Sequence, residues 1–481
     1  MYLCQVGDNI ADYGGWLMGL FKDGEDIEKK LDWKGVARRE FMKISAKAAA
    51  IMSIAPTCLL SACHDYYDSV DPFNNGSNKR DLIIVISDLH LGADLEYSET
   101  NENLKLLENF LNQIRYSNNI KELVIAGDLL DEWFVPADTD TYQGEDQANF
   151  ADRIAKANEG VIEVFKNIIQ DGIITVVYTP GNHDLTFTDD NVDRILPGIT
   201  QARDVDAFGL GTYSPESSPE IAIEHGHRYN FFCAPDPFSN QVEAPETILP
   251  PGYFFTRLAV QHIVESCTVP TDVLPTITPN SLGGDSQNFL YVYSRVWNYL
   301  MNIIPIAEYF DDNIIVTNID GFFDSYSVHD LLPSQTTPGG VISVNLFEGI
   351  QDKWAERCER NNVAVPIPTM QAIEGALSTT QTDNMAATQY FMNSNSNTRL
   401  VVFGHTHETK IIASENYKGE KAVYVNSGTW IDHKEFHANE TTMNFVIITP
   451  QSDDFNSQTV VAVYNFENEI ITEMKKDSLR F

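Results

Sequence analysis

Cationic side chains are scarce in this chain. Lysine and arginine total 32 against 69 aspartate and glutamate, for a formal charge of −37. The first 62 residues are balanced, so the whole deficit falls on residues 63–481. A surface of that sign repels polyanions, because nucleic-acid binding rests on Lys and Arg contacts to phosphates. Nucleic acid is therefore disfavoured as the main partner. Cysteine is also sparse, and only Cys233, Cys267 and Cys358 come after position 63. They allow at most one intramolecular disulfide, which excludes a disulfide scaffold. Membrane-length apolar runs are not found where hydrophobic residues gather. The run from Ala48 to Leu60 is too short to span a bilayer, and the aromatic stretch from Phe289 to Phe310 is interrupted by Arg295 and several Asn residues. No internal repeat appears. With 43% hydrophobic residues over 481 positions, the chain can bury a large core without such aids.

What is present is a conjunction: short apolar runs that each end on residues able to bind a metal. Ile83 to Ser87 runs into Asp88-Leu89-His90, and Leu123 to Ala126 into Gly127-Asp128. Ile174 to Tyr178 leads through Thr179-Pro180 into Gly181-Asn182-His183-Asp184. Ile221 to Glu224 runs into His225-Gly226-His227, and Leu400 to Phe403 into Gly404-His405-Thr406-His407. Such runs, bounded by Gly, Asp and Asn, read as buried strands. In open α/β sheets ligands gather beyond the carboxyl ends of the strands, so segments distant in sequence aim at one place. The donors are carboxylate, imidazole and carboxamide without thiolate, a set suited to Mn, Fe, Zn or Mg. It is too large for one ion. Two ions sharing a carboxylate fit the count, and such pairs, about 3.5–4 Å apart, perform in-line phosphoryl displacement. Gly127, Gly181 and Gly404 mark sharp exits where positive φ or close backbone approach favours glycine. Any one block also reads as an ordinary turn or polar loop; all of them in one chain do not.

The order Asp-x-His, Gly-Asp, Gly-Asn-His-Asp, His, Gly-His-x-His resembles the calcineurin-like metallophosphoesterase family, from about Asp81 to Asp432, with no departure at a ligand position. The resemblance implies an α/β fold, a four-layer α-β-β-α sandwich of two mixed sheets flanked by helices. It implies one divalent ion held by Asp88, His90, Asp128 and His407. A second would be held by Asp128, Asn182, His225 and His405, so that Asp128 bridges. It further implies a hydroxide between the ions that attacks phosphorus. His183 would act as general acid or hydrogen-bond donor to the leaving-group oxygen, with Asp184 orienting its imidazole. The expected activity is hydrolysis of phosphomonoesters or phosphodiesters. The alternative is a metal-dependent binding module with vestigial catalysis; its mark would be a lost ligand, and none is lost. His227 is expected to touch substrate, to lie behind the ligands, or to be a solvated loop residue. His433 and His437 read as one face of a surface helix, and His262 and His329 have no supporting context. The block from Gly127 to Trp133 is also similar to the UDP-diacylglucosamine pyrophosphohydrolase branch, which handles a lipid-linked substrate inside the cell under a helical cap. That branch carries Arg where His183 stands, so its substrate is not carried over.

Arg38-Arg39 ahead of the Ala48–Leu60 run looks like a twin-arginine export signal. Leu60-Ser61-Ala62-Cys63 looks like a bacterial lipobox, with Cys63 as the lipidation site. An amphipathic helix with a buried Cys is the other reading. The expected organisation is an export signal over 1–63, a polar tether over 64–80, a metallophosphoesterase domain from 81–228 and 398–481, and an insertion over 229–397. Export would place the protein in the periplasm or cell envelope, held to the membrane by its lipid; without the signal it is cytoplasmic. Leu104, Leu107, Phe110, Leu111 and Ile114 share a helical face between the first two strands. Ile154, Ala157, Val161, Val164, Phe165 and Ile168 do so between the second and third, which gives a β-α-β series of parallel strands. Ala422–Val425, Asn444–Thr449 and Thr459–Phe466 are further strand-like runs. The insertion is expected to be mainly helical. It either packs on the sandwich or caps the metals and grips a small-molecule or lipid-linked phosphate ester.

Overall fold

A computed structural model of the chain describes residues 71–267, 269–432, 441–452, 457–467 and 469–481. The export signal with Cys63, the first part of the tether, and His433 and His437 lie outside the described residues. Pro72 to Phe481 belong to one compact unit. Its apolar runs form β1 (Leu82–Ile86), β2 (Ile120–Ala126), β3 (Thr175–Thr179), β4 (Thr200–Gln201), β5 (Thr212–Tyr213) and β6 (Ile221–Glu224). Later come β7 (Leu400–Phe403), β8 (Lys410–Glu415), β9 (Lys421–Asn426), β10 (Asn444–Thr449), β11 (Thr459–Glu467) and β12 (Ile470–Leu479).

These strands build a seven-stranded sheet of order β12-β11-β10-β1-β2-β3-β4 and a five-stranded sheet of order β8-β9-β7-β6-β5. Both sheets are mixed. β1, β2 and β3 run parallel, while β10 pairs antiparallel with β1. In the second sheet β6, β7 and β9 run parallel, with β8 and β5 antiparallel at the edges. Alternate residues of a strand share a face. Ile83, Val85, Val124 and Val177 of the first sheet accordingly join Ile221, Ile223, Val402 and Val425 of the second in one buried apolar cluster. Burying each such side chain stabilises the fold by roughly 1.5–3 kcal/mol.

Between β1 and β2, α1 (Leu104–Tyr116) buries Leu107, Phe110, Leu111 and Ile114, as their spacing requires. The single helix expected before β3 is two, α2 (Gln147–Ala157) and α3 (Glu159–Asp171). They part at Asn158, whose buried carboxamide donates to the Ile154 and Gly92 carbonyls, both at 2.9 Å. That side chain competes with the helical ladder for backbone acceptors. The expected polar tether is corrected for its described part. Phe73 is buried, with ring centroids 6.0 Å from Phe110 and 5.9 Å from Phe445, so this segment is docked on the domain.

The inserted residues include α4 (Pro251–Glu265), α5 (Gly284–Ile303) and α6 (Ile350–Arg360), with shorter helices and two two-stranded ribbons. Leu290, Tyr293, Trp297 and Leu300 are buried along α5. Among the described residues no helix is long and apolar enough to cross a membrane. Among the described residues Cys233, Cys267 and Cys358 form no disulfide.

Candidate metal centre

The sequence puts a candidate functional side chain just past five parallel strands: Asp88 after β1, Asp128 after β2, Asn182 after β3, His225 after β6, His405 after β7. The chain must then turn hard. Asp88, His90, Asp128, His405 and His407 sit at φ of 54°, 44°, 51°, 68° and 62°. Each such left-handed non-glycine residue costs on the order of 1–3 kcal/mol, and this kind of strain gathers at functional sites. Gly127 has φ 85°, and a Cβ there would meet the His225 ring at 2.5 Å. Gly181 is needed for space alone, since its Cβ would fall 2.1 Å from Asp128 Oδ1.

The expected first ligand set is brought together. One donor atom each from Asp88, His90, Asp128 and His407 lies within 4.8 Å of the others, and all four residues are buried. His407 Nε2 is 3.1 Å from Asp88 Oδ1, His90 Nε2 is 3.6 Å from Asp128 Oδ2, and the two Nε2 atoms are 3.3 Å apart. Asp128 also faces the second set. His225 Nε2 lies 3.0 Å from Asp128 Oδ2 and 3.1 Å from Asn182 Oδ1. The His405 ring is 5.1 Å from that of His225. His90 Nδ1 is held by Asp131 Oδ2 at 2.8 Å, and His225 Nδ1 donates to the Ala126 carbonyl at 2.9 Å. Those bonds commit each Nδ1 and turn Nε2 inward, the arrangement a divalent cation requires of an imidazole ligand.

The charges agree. Burial pushes the Asp88 and Asp128 carboxyls up. The neighbouring imidazoles, His407 and His225 at Asp88 and His225 and His183 at Asp128, outweigh it and hold both low. Burial pulls His407 down to about 4 and His405 well below its usual value, which favours the neutral imidazole in both. Burial opposes protonation of His90 and His225 as well. There the carboxylates win, Glu99 and Asp131 lifting His90 to about 10, Asp128 and Asp88 lifting His225 to about 9.

One expected role is corrected. Asp184 does not orient His183. Its Oδ2 accepts from the Leu129 and Leu130 amides at 2.9 and 3.1 Å, and its Oδ1 from the Gly181 amide at 2.7 Å. It ties the exits of β2 and β3 together. The carboxylate on His183 belongs to Asp131, whose Oδ1 accepts from Nδ1 at 2.8 Å and from the Trp133 and Phe134 amides at 2.9 and 2.8 Å. Side chains adjacent in sequence point apart, whereas Asp131 curls back from the turn that starts at Asp128. Its spacing from Asp128 was the available signal.

His227 is buried, not a solvated loop residue. Its Nε2 lies 3.0 Å from the Gly209 carbonyl and its ring 5.3 Å from that of His225, so it packs behind the ligands. At the end of β9, Asn426 Nδ2 donates to the Gly404 carbonyl at 2.7 Å, and just beyond it Thr429 Oγ1 donates to the Asp88 carbonyl at 3.0 Å. The Asn-Ser-Gly-Thr turn thus holds two ligand-bearing exits.

Residues 82–249 match the model of the Calcineurin-like phosphoesterase family. That span contains Asp88, His90, Asp128, Asn182, His183 and His225 and stops short of His405 and His407, which the fold nevertheless carries to the same centre. Among solved structures, the chain is similar to the nuclease MPE of Pseudomonas putida, at 16% identity over 33% of this chain and 55% of that one, with a TM-score of 0.19. It thus spans about half the length of that nuclease chain. It is also similar to wild-type Vps29 of Entamoeba histolytica complexed with Zn+2, at 9% identity over 82% of this chain and 98% of that one, with a TM-score of 0.27. No curated protein matches.

Proposed function

We propose that this chain is a binuclear metal-dependent phosphoesterase that cleaves a phosphomonoester or phosphodiester. The carrying observation is the convergence of Asp88, His90 and His407, and of His225 with Asn182 beside it, around Asp128. His405 completes the second set. Two divalent ions, of Mn, Fe, Zn or Mg, supply in such a site positive charge for the phosphoryl oxygens and a nucleophile from water at neutral pH. The chain's own residues do the rest. Asp128 is shared by both ligand sets, and the almost complete burial of the donors weakens dielectric screening around them. His183 faces the leaving oxygen as proton or hydrogen-bond donor; burial holds its imidazole below the ordinary value, and Asp131 at Nδ1 opposes that by favouring the protonated ring.

The charge of −37 favours a small or lipid-linked ester over nucleic acid as substrate. The two sheets read as the inner layers of a four-layer sandwich, and Cys63 as the site of a lipid anchor after export.

The test is Asp128→Asn, with metal content and hydrolysis of a phosphate-ester panel measured together. Both should collapse. Full activity in that variant refutes the scheme. A wild-type protein that binds metal yet hydrolyses neither mono- nor diesters is a binding module instead.

A further inference from the structure

The segment leaving β2 runs from Asp128 through Asp131 and Trp133 to Thr141, and a helix of the insertion holds it. Arg257, on α4, is fully buried. Its Nε donates to the Val135 carbonyl at 2.8 Å. Nη2 donates to the Pro136 and Ala137 carbonyls at 2.8 and 3.2 Å, to the Thr139 carbonyl, and to the Val316 carbonyl at 3.0 Å. Nη1 reaches Thr141 Oγ1 at 3.2 Å and the Tyr253 hydroxyl. No carboxylate is among these acceptors. A buried guanidinium satisfied by neutral oxygens tolerates little displacement, because moving it out of their ring strands charged N–H donors away from water. The planar five-donor fork suits that task, and an ammonium does not.

One helical turn back on α4, Tyr253 meets Trp133 edge-on at 6.3 Å between centroids. Trp133 in turn lies against His183, with centroids 4.9 Å apart and planes at 33°. Arg257 thus fixes the backbone beyond Trp133, Tyr253 abuts its ring, and that ring bears on the imidazole. Asp131 sets the Nδ1 edge of His183, and Trp133 sets its plane.

We infer that Arg257 is a positioning residue for His183, acting through Trp133, so that the insertion takes part in aiming the proton donor. The inference rests on the phosphoesterase reading above. It is tested on the Mn²⁺-loaded protein with phenyl and p-nitrophenyl esters of the same phosphate. The phenyl ester needs protonation of its leaving group far more. Arg257→Lys should lower kcat on the phenyl ester about tenfold, with a much smaller loss on the p-nitrophenyl ester and with KM and metal content unchanged. Tyr253→Phe, which keeps the ring and removes one acceptor, should change the ratio in the same direction by less and serves if Arg257→Lys does not fold.

Arg357→Lys is the control, at a buried guanidinium remote from Trp133 that also faces the Asp236 carboxylate at 3.8 Å. Arg357, on α6, is an equally buried guanidinium bound to the Phe231 and Ala234 carbonyls at 3.1 and 2.6 Å, on the segment after β6. Its loss should leave the ester ratio alone. Equal losses on both esters in Arg257→Lys, or losses that follow the folded fraction as in the control, overturn the inference. If the wild type hydrolyses neither ester, the functional reading fails while the positioning can still be read. In Zn²⁺-loaded protein the ring-current-shifted Hε1 resonance of His183 should move in Arg257→Lys and stay in Arg357→Lys. An unmoved resonance overturns the positioning.

Discussion

Asp131 accepts a hydrogen bond from His183 Nδ1 at 2.8 Å. Its other oxygen holds His90 Nδ1 at the same distance, so one carboxylate sets the tautomer of the proposed proton donor and of a metal-facing imidazole. Asp131→Asn turns one of those oxygens into an N–H₂ that confronts a ring N–H. We expect metal affinity to fall about 10–100-fold, as when other partners of ligand histidines are lost, and kcat to fall on the order of 100-fold or more. His183→Ala should separate the two effects, keeping the metals and losing the rate. Metal titration beside steady-state kinetics measures both. Wild-type affinity and rate in Asp131→Asn would show that the carboxylate is incidental.

The carboxylate proposed to bridge the two ions can be probed without replacing any candidate ligand. A Cβ at Gly181 would lie 2.1 Å from Asp128 Oδ1 and 2.3 Å from the Asp128 amide nitrogen. Neither has room to yield. Asp128 Oδ1 accepts from the His183 amide at 2.8 Å, and the Gly181 amide is itself tied to Asp184 at 2.7 Å. Gly181→Ala should therefore displace the shared carboxylate and weaken metal binding at least about tenfold. Overpacking of this kind also costs about 1–3 kcal/mol of stability. A Gly181→Ala protein that titrates with metal as the wild type does would contradict the close approach.

The central strands and the candidate metal-binding residues after them stood out because each strand is an apolar, mostly β-branched run that meets a Gly, Asp or His within one or two residues. β8 and β12 were not. They lie at the outer edges of their sheets, β8 is half exposed, and β12 carries Glu473, Lys475, Lys476 and Asp477. Their strand character comes from the ladder of the neighbouring strand, not from an apolar pattern of their own. The role of Asp184 is hidden for a related reason. Nothing in Gly-Asn-His-Asp tells which carboxylate reaches the imidazole. That is settled by the left-handed backbone at Asp128, which returns Asp131 towards His183. The insertion was visible as a gap between ligand blocks, with helical spacing inside it. Its grip on the β2 exit was not, since Arg257 and Val135 are 122 positions apart and no periodicity joins them.

Beside the centre, Glu132 is wholly buried and bonded by the Tyr142 hydroxyl at 2.6 Å, by Gln147 Nε2 at 2.9 Å and by the Thr186 hydroxyl. Burial pushes its carboxyl up to about 7, against 4.5 for an ordinary glutamate. Between those values the folded state holds a proton that the unfolded chain releases, so stability declines as pH rises through the window and levels off above it. The shift corresponds to about 3 kcal/mol. Glu132→Gln removes that titration and keeps the neighbours bonded, since the Thr186 hydroxyl can turn to accept from the new amide. Urea unfolding of metal-free protein at pH 5 and pH 8 should show the wild type losing about 2.5 kcal/mol more than the variant across that interval. Parallel pH dependences in the two proteins would mean that Glu132 is ionised throughout and that its three donors outweigh burial.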